Sequence, residues 1–408
     1  MDKQLKNIFH TRYKAILLLL TFGLLTIYIG SSIETVNAWK TENQWLHSKD
    51  VVNDFKERPS DYIKGYDYQG EPVTYANIEE YRKESLTFFT DYFTTEIVDS
   101  TKPFTPDRSY QTGRVYWNRF DRSYIPLVSI FIFLIGFGLF FIDLKTNFNA
   151  FLFSLSFTKK QLFRGKVFYW TLPLIASITL GTMLYQLIIY LSIPSIYVNA
   201  TLGQLLYSGF SHVIFILFTF IMGAFFGTLL GNLITAPIML AAGILSFDLM
   251  HSFMNNLKNL LQYGNLEYII QKTYQIFGSI SSVAIHSPGK TASTVATLLV
   301  YLVLTCLFFL LAERIYENIS LENNGKVLTV PRYRKRFFII LAILTSVYFT
   351  FGSIDFVFHH EYYGSLPLLT TVIIPIVCIA SSFILTYYDE IFKFWNKRYL
   401  NRMIKKTP

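Results

Sequence analysis

Ile125-Pro-Leu-Val-Ser-Ile-Phe-Ile-Phe-Leu-Ile-Gly-Phe-Gly-Leu-Phe-Phe-Ile142 is an uninterrupted run without one charged side chain, closed by Asp143 and Lys145. A helix in water keeps a polar stripe, and this run has none. It matches instead the roughly 20 apolar residues needed to cross a hydrocarbon core about 30 Å thick. Taken as 125–143, it is joined by seven further candidate spans near 15–33, 168–192, 206–230, 233–250, 292–312, 337–355 and 366–388. The fourth and fifth are separated only by Gly231-Asn232, which makes them a tight hairpin. The composition agrees: 52% of the 408 residues are hydrophobic, 18% aromatic and 15% charged, against roughly 25% charged in a soluble domain. The sequence therefore reads as an all-α polytopic membrane protein with about eight transmembrane helices.

An even number of spans puts both termini on one side. With that side cytoplasmic, 21 of the 36 Lys and Arg residues fall in 1–14, the 144–167 loop, the 313–336 loop and the tail after 388. The short outer loop 251–291 carries 3, and the long 34–124 segment carries 12. Long segments translocate largely regardless of charge, so the short loops set the orientation. The net charge of +9 is thus mostly an orientation signal with some attraction to anionic membrane lipid. It argues against nucleic acid as a partner, which would need a basic patch on a water-facing surface.

The amino terminus reads as an uncleaved signal anchor, because the Ala15 to Ile29 core is at the upper limit for a cleavable signal and Val36-Asn37-Ala38 lies beyond Glu34. Before it, 1–14 places Leu5, Ile8, Phe9 and Tyr13 opposite Lys3, Lys6 and Arg12, as in a cytoplasmic interfacial helix. The outer domain 34–124 has 16 acidic and 12 basic residues. Helices are expected from Ala38 to Phe55 and from Glu79 to Ile97, with a turn or short hairpin at Tyr66 to Pro72. The 251–291 segment, with Leu257, Leu260, Leu261, Leu266, Tyr268, Ile269 and Ile270, reads as a second outer, interfacial element. The core therefore occupies 125–330, followed by two more spans in 331–388 and a basic cytoplasmic tail at 389–408.

Several chemistries are set aside. Cys306 and Cys378 both lie in apolar runs, which leaves no CxxC pair and no cysteine-based zinc site. Ala284-Ile285-His286-Ser287-Pro288-Gly289-Lys290-Thr291 imitates a phosphate loop, but it leads into a span and has no βαβ context. His359-His360-Glu361 beside Asp355 lacks the helical spacing of a metal site. The sequons at Asn199 and Asn318 carry little weight. Asp143, Asp248, Glu313 and Asp355 sit at span ends, where they are expected to reach water or headgroups. No buried acid or base is expected to couple a proton or sodium ion, and no catalytic constellation is evident, so any transport energy must come from elsewhere.

After the second span the chain reads Phe151-Leu-Phe-Ser-Leu-Ser-Phe-Thr-Lys-Lys-Gln-Leu-Phe-Arg-Gly-Lys166. This is expected to be a short amphipathic cytoplasmic helix: either an interfacial turn, or a docking helix gripped through apolar knobs and a basic rim. Here the sequence resembles the permease subunits of ABC-2 type exporters, in particular Gram-positive members. In that family the loop between spans two and three commonly reads Leu-Pro-x-Ser/Thr-Arg/Lys-x-x-Leu-x-x-Gly-Lys and acts as the coupling helix. Leu155, Thr158, Lys159, Leu162, Gly165 and Lys166 match, whereas Ser156 stands where Pro is usual. Glu313-Arg314 leading to Glu322-Asn323-Asn324-Gly325-Lys326-Val327-Leu328 is similar to the Arg...Glu-x-x-Gly-x-x-Leu tail after span six, matched at Arg314, Glu322 and Gly325. The resemblance covers about residues 1–330 and leaves spans seven and eight outside the six-span core.

The resemblance implies a non-catalytic permease that pairs with a second permease, identical or paralogous, and with two copies of a separate ATPase holding ATP and Mg. It implies that Lys159, Lys160 and Arg164 meet acidic residues near the ATPase cleft while Phe157, Leu162 and Phe163 anchor, and that spans two and three move together. The cargo would be an amphipathic peptide or lipid-like molecule leaving the cell, as in antimicrobial peptide export or resistance. Residue usage fits a low-GC Gram-positive plasma membrane. The alternative is a non-transport sensor whose outer domain binds a ligand and whose basic loops dock a signalling partner; a polytopic lipid enzyme stands third.

Overall fold

In the computed structural model the described residues are 2–66, 71–91, 116–120, 125–198, 200, 202–245, 295–358 and 372–404. In chain order the elements are α1 (Lys3–Leu46), α2 (Lys49–Glu57), β1 (Ile63–Tyr66), β2 (Pro72–Thr74), α3 (Ile78–Leu86), β3 (Phe89–Asp91) and β4 (Tyr116–Asn118). There follow α4 (Ile125–Lys145), α5 (Phe148–Phe153), α6 (Lys159–Ser192), α7 (Leu202–Leu229), α8 (Thr235–Leu245), α9 (Val295–Glu317), α10 (Arg334–Phe358) and α11 (Ile374–Ile404). Among the described residues, six helices are long and apolar enough to cross a membrane: α1, α4, α6, α7, α9 and α11. The chain is an α-helical, multi-pass membrane protein.

Two compact units make up the chain, and α4, α6, α7 and α9 contribute residues to both. The first gathers 1–129, 167–217 and 282–302; the second gathers 130–166, 218–281 and 303–408.

In the first unit α1 is one helix of 44 residues, about 66 Å long at 1.5 Å per residue. No break separates the expected interfacial stretch 1–14 from the span. Leu5, Phe9 and Tyr13 begin one buried stripe that continues through Leu17, Leu20, Leu24, Tyr28, Thr35 and Trp39. This stripe packs along α6. The Tyr13 and Trp170 rings meet at 5.4 Å, Ser177 donates to Thr21 at 3.2 Å, and Thr35 and Tyr185 hydroxyls lie 3.4 Å apart. Contacts advance together along both helices, so α1 and α6 run parallel, as two helices crossing in the same direction must.

Beyond the span, α1 ends at Leu46 and Ser48 caps α2 by accepting from Val51 N at 3.4 Å, so the expected 38–55 helix is two helices. The β1–β2 hairpin brackets the expected turn, with Tyr66 opposite Pro72. The Glu79 to Ile97 helix is cut short: α3 ends at Leu86, and Phe88 is buried with its N–H given to Tyr197 O and its carbonyl taken by Arg119 N. Backbone pairing across the sequence thus outweighs local helix preference there. Residues 92–97 lie outside the described set.

In the second unit α4 and α7 touch backbone to backbone. A Cβ added at Gly223 would lie 2.1 Å from Phe133 O, and one at Gly227 would lie 2.2 Å from Phe137 O. Gly223-x-x-x-Gly227 therefore works as a small-residue seam on which two parallel helices close. The segment after α9 adds a backbone bridge, with Gly231 N donating to Val327 O at 2.9 Å and Thr329 N to Leu229 O at 3.0 Å. Helices α10 and α11 form an antiparallel pair, with Phe338 against Phe383 and Thr345 beside Ser382. Of the expected fifth span, 235–245 is a helix. The outer segment 251–291, the phosphate-loop-like 284–291, Asn199, Asp248, the Asp355 side chain and His359-His360-Glu361 lie outside what is described.

Candidate functional site

The expected coupling segment does not form a helix of its own. Helix α5 ends at Phe153, and α6 begins at Lys159 and continues to Ser192. The start is fixed by a reciprocal cap. Thr158 N donates to Gln161 Oε1 at 2.9 Å, and Gln161 N donates to Thr158 Oγ1 at 3.2 Å, so two otherwise orphaned donors are satisfied. The matched residues Lys159 to Lys166 are thus the first two turns of a membrane-spanning helix.

Those turns face inward more than expected. Leu162 and Phe163 are buried, and Phe163 packs within 5.2–5.7 Å of Phe140, Phe309 and Tyr316. The resemblance implied that these two side chains anchor a partner; in the chain both are buried, Phe163 by aromatic packing. Phe157 is half-buried, while Ser156, Thr158 and Lys160 are exposed and Gly165 is buried.

The basic residues are held by this chain as well. Arg164 forks onto Glu313, Nε to Oε1 at 2.7 Å and a terminal nitrogen to Oε2 at 3.2 Å, and Lys160 lies 3.6 Å from the same carboxylate. Glu313 is only 5% exposed, whereas the two cations are about half exposed, at 47% and 51%. Lys159 donates to Ile319 O at 2.6 Å over the Phe153 ring. Lys166 is fully buried, hydrogen-bonded to buried Asp143, with its ammonium 4.5 Å from the centre of the Phe140 ring. Asp143 and Glu313 therefore do not reach water or headgroups as their span-end positions suggested. Asp143 is enclosed with Lys166, the arrangement that lets a charge persist away from water, whereas Glu313 is covered by two cations that are themselves half exposed.

The neighbouring ends are bolted to the same cluster. Lys145 donates to Gly231 O and, at 3.0 Å, to Asn324 Oδ1. Tyr316 donates to Asn149 at 3.3 Å. Asp389 on α11 accepts from Val327 N at 2.7 Å, from Asn232 at 3.1 Å and from Arg334 at 3.3 Å, which ties the last helix pair to the α7–α8 turn. Gly325, with φ of +97°, sits where the left-handed backbone requires glycine, and its carbonyl accepts from Asn232. Arg314 and Glu322 are exposed.

The first unit carries a second polar cluster, without a carboxylate, lysine or arginine. Tyr28 Oη and His212 Nε2 are 2.7 Å apart, both residues are buried, and the Tyr28 ring occupies the space a Cβ on Gly181 would take. His212 is the one histidine within the spans read from the sequence, which made it findable; its partner on α1 was not. Gly223-x-x-x-Gly227 was equally visible. The ion pairs had no such signal, since counting basic residues treats each as facing water.

Comparison of the chain with protein-family models, with curated proteins and with solved structures finds no match in any of the three.

Proposed function

We propose that the chain is the membrane subunit of an ATP-driven exporter of ABC-2 type, working with a second permease and two ATPase chains that hold ATP and Mg. The observation that carries this reading is the mechanical linkage at the start of α6. A segment whose outward side offers Phe157, Thr158 and Lys160 is tied by Lys166 to Asp143 on α4 and by Arg164 to Glu313 on α9. A push on that cytoplasmic surface is delivered to spans two, three and six together, because stretching a buried ion pair exposes its charges to an apolar medium. Access would alternate only if the ATPase grips the segment differently in its two nucleotide states. Leu162, Phe163 and Lys166 serve inside the chain as the stiff root of the lever. The cargo is read as an amphipathic peptide or lipid-like molecule, since the helices offer aromatic and hydroxyl groups and little charge.

Purification from the native host in mild detergent, with mass spectrometry of what co-purifies, tests this. A phosphate-loop ATPase in stoichiometric amount is expected. A kinase or regulator in its place would overturn the exporter reading in favour of a sensor, and no companion at all would overturn it as well.

A further inference from the structure

The uncharged layer of the first unit leaves hydrogen-bonding capacity unspent. Its helices meet through Tyr28 and His212 at 2.7 Å and through Thr35 and Tyr185 at 3.4 Å. Between them Gln186 is decisive. Its amide nitrogen donates to Leu205 O, which fixes the orientation of the group and aims Oε1 away from that carbonyl. Oε1 is buried and has no hydrogen-bond partner among the described residues, and the same is true of Ser31 Oγ. Ser31 lies one turn from both Tyr28 and Thr35, so it shares their face of α1. Gly209 lets the amide lie close against α7, where a Cβ would come within 3.1–3.2 Å of the Gln186 nitrogen and oxygen.

Dry interhelical bonding would spend these groups on each other, because a carbonyl oxygen in hydrocarbon has no water to fall back on. An acceptor left open at this depth calls for a donor from outside the described residues. Charge narrows its identity. The stretches 15–33, 168–192 and 206–217 contain no Asp, Glu, Lys or Arg, so nothing there would stabilise an ionic ligand.

We propose that this layer is a recognition site for an uncharged hydrogen-bond donor, an amide N–H or a hydroxyl, of an amphipathic ligand, accepted at Gln186 Oε1, and that water enters the layer otherwise. The site does not depend on an ATPase and serves a carried or a sensed ligand equally.

The test is labelling of Ser31→Cys and of Ser208→Cys, a buried position next to Gly209 on α7, in proteoliposomes with a charged, membrane-impermeant methanethiosulfonate, after Cys306 and Cys378 are replaced by Ala. Leu187→Cys, exposed on the apolar surface, is the control. The reacting thiolate forms where water reaches it, so labelling at the two layer positions is expected at least ~10-fold faster than at the control. Decanamide should slow it and decyltrimethylammonium, which has no N–H to give, should not. A Gln186→Leu background should abolish the decanamide effect while labelling persists. Labelling no faster than the control would make the layer dry packing, and equal slowing by both amphiphiles, or by neither, would remove the ligand site; any of these overturns the proposal.

Discussion

The two units hold apolar helices together by opposite means. In the first, α1, α6 and α7 meet through hydroxyl, amide and imidazole groups, with Gly181 cut back to admit the Tyr28 ring. In the second, charges do the holding: Lys166 with Asp143, and Arg164 with Lys160 on Glu313. Lipid tails are as apolar as leucine, so neither unit can rely on the hydrophobic effect between helices. The difference teaches where rigidity lies. An uncharged contact is cheap to break and remake, whereas separating a buried ion pair is costly. Under the proposed function the second unit would transmit force and the first would rearrange.

The largest effect should come from breaking the enclosed pair. Lys166→Met strands the Asp143 carboxylate and is expected to cost about 3–5 kcal/mol, whereas the double change Asp143→Leu with Lys166→Met should recover most of it; equilibrium unfolding in detergent reads both. Equal losses in the single and double variants would mean that the pair is not the source of the rigidity. Next comes the α4–α7 seam. Gly223→Ala drives a methyl into Phe133 O and should cost about 1–3 kcal/mol, because overpacking forces the helices apart. The same substitution at Gly23, where a Cβ meets nothing within 4 Å, should be nearly silent.

Arg164→Ala leaves buried Glu313 with Lys160 alone and should destabilise less than Lys166→Met, with Arg164→Lys restoring part of the loss. Tyr28→Phe removes one interhelical hydrogen bond in the first unit, and about 0.6 kcal/mol is expected, near 1.7 at most. A loss as large as that of Lys166→Met would erase the contrast between the units.

The smallest effects belong to the region between α1 and α4, where two carboxylates one turn apart on α3 carry opposite signs. The bond from Lys64 holds Glu80 below the ordinary carboxylate value of 4.5, and burial pushes Glu84 above it. Glu80 therefore stabilises the fold above that value and loses this as pH falls through its folded pKa. Glu84 does the reverse: its charge costs stability at neutral pH, and protonation on acidification relieves it. At pH 7 Glu80→Gln should lower protection of the α3 amides from hydrogen exchange and Glu84→Gln should raise it, each by less than about 1 kcal/mol. Both differences should fade below pH 4.

The helices were legible because each run such as 125–142 exceeds what any soluble helix tolerates, and the tight turn at Gly231-Asn232 was legible because nothing else separates two apolar stretches. Boundaries failed where tertiary contacts decided them. Nothing local in Tyr13 or Lys14 marks the union of the amino-terminal stretch with the first span; the stripe that continues through Tyr28 does. Thr158 and Gln161 form a helix-start signal three residues apart that places the start of α6 at Lys159, and the apolar pattern around Phe157 hid it. Asp143 and Glu313 were located but not their surroundings, since burial of a span-end carboxylate depends on cations 23 and 149 positions away. His212 is the one histidine within the spans, yet its partner Tyr28 lies 184 residues distant.

The most direct measurement is site-specific photo-crosslinking from the outward side of the coupling segment. A benzophenone amino acid would be placed at Thr158, and another at buried Leu162 as the inward control. The account predicts that Thr158 captures a separate chain carrying a phosphate-loop ATPase domain and that Leu162 captures none. Capture of a kinase or regulator from Thr158, or of nothing while the protein inserts and folds, would contradict it.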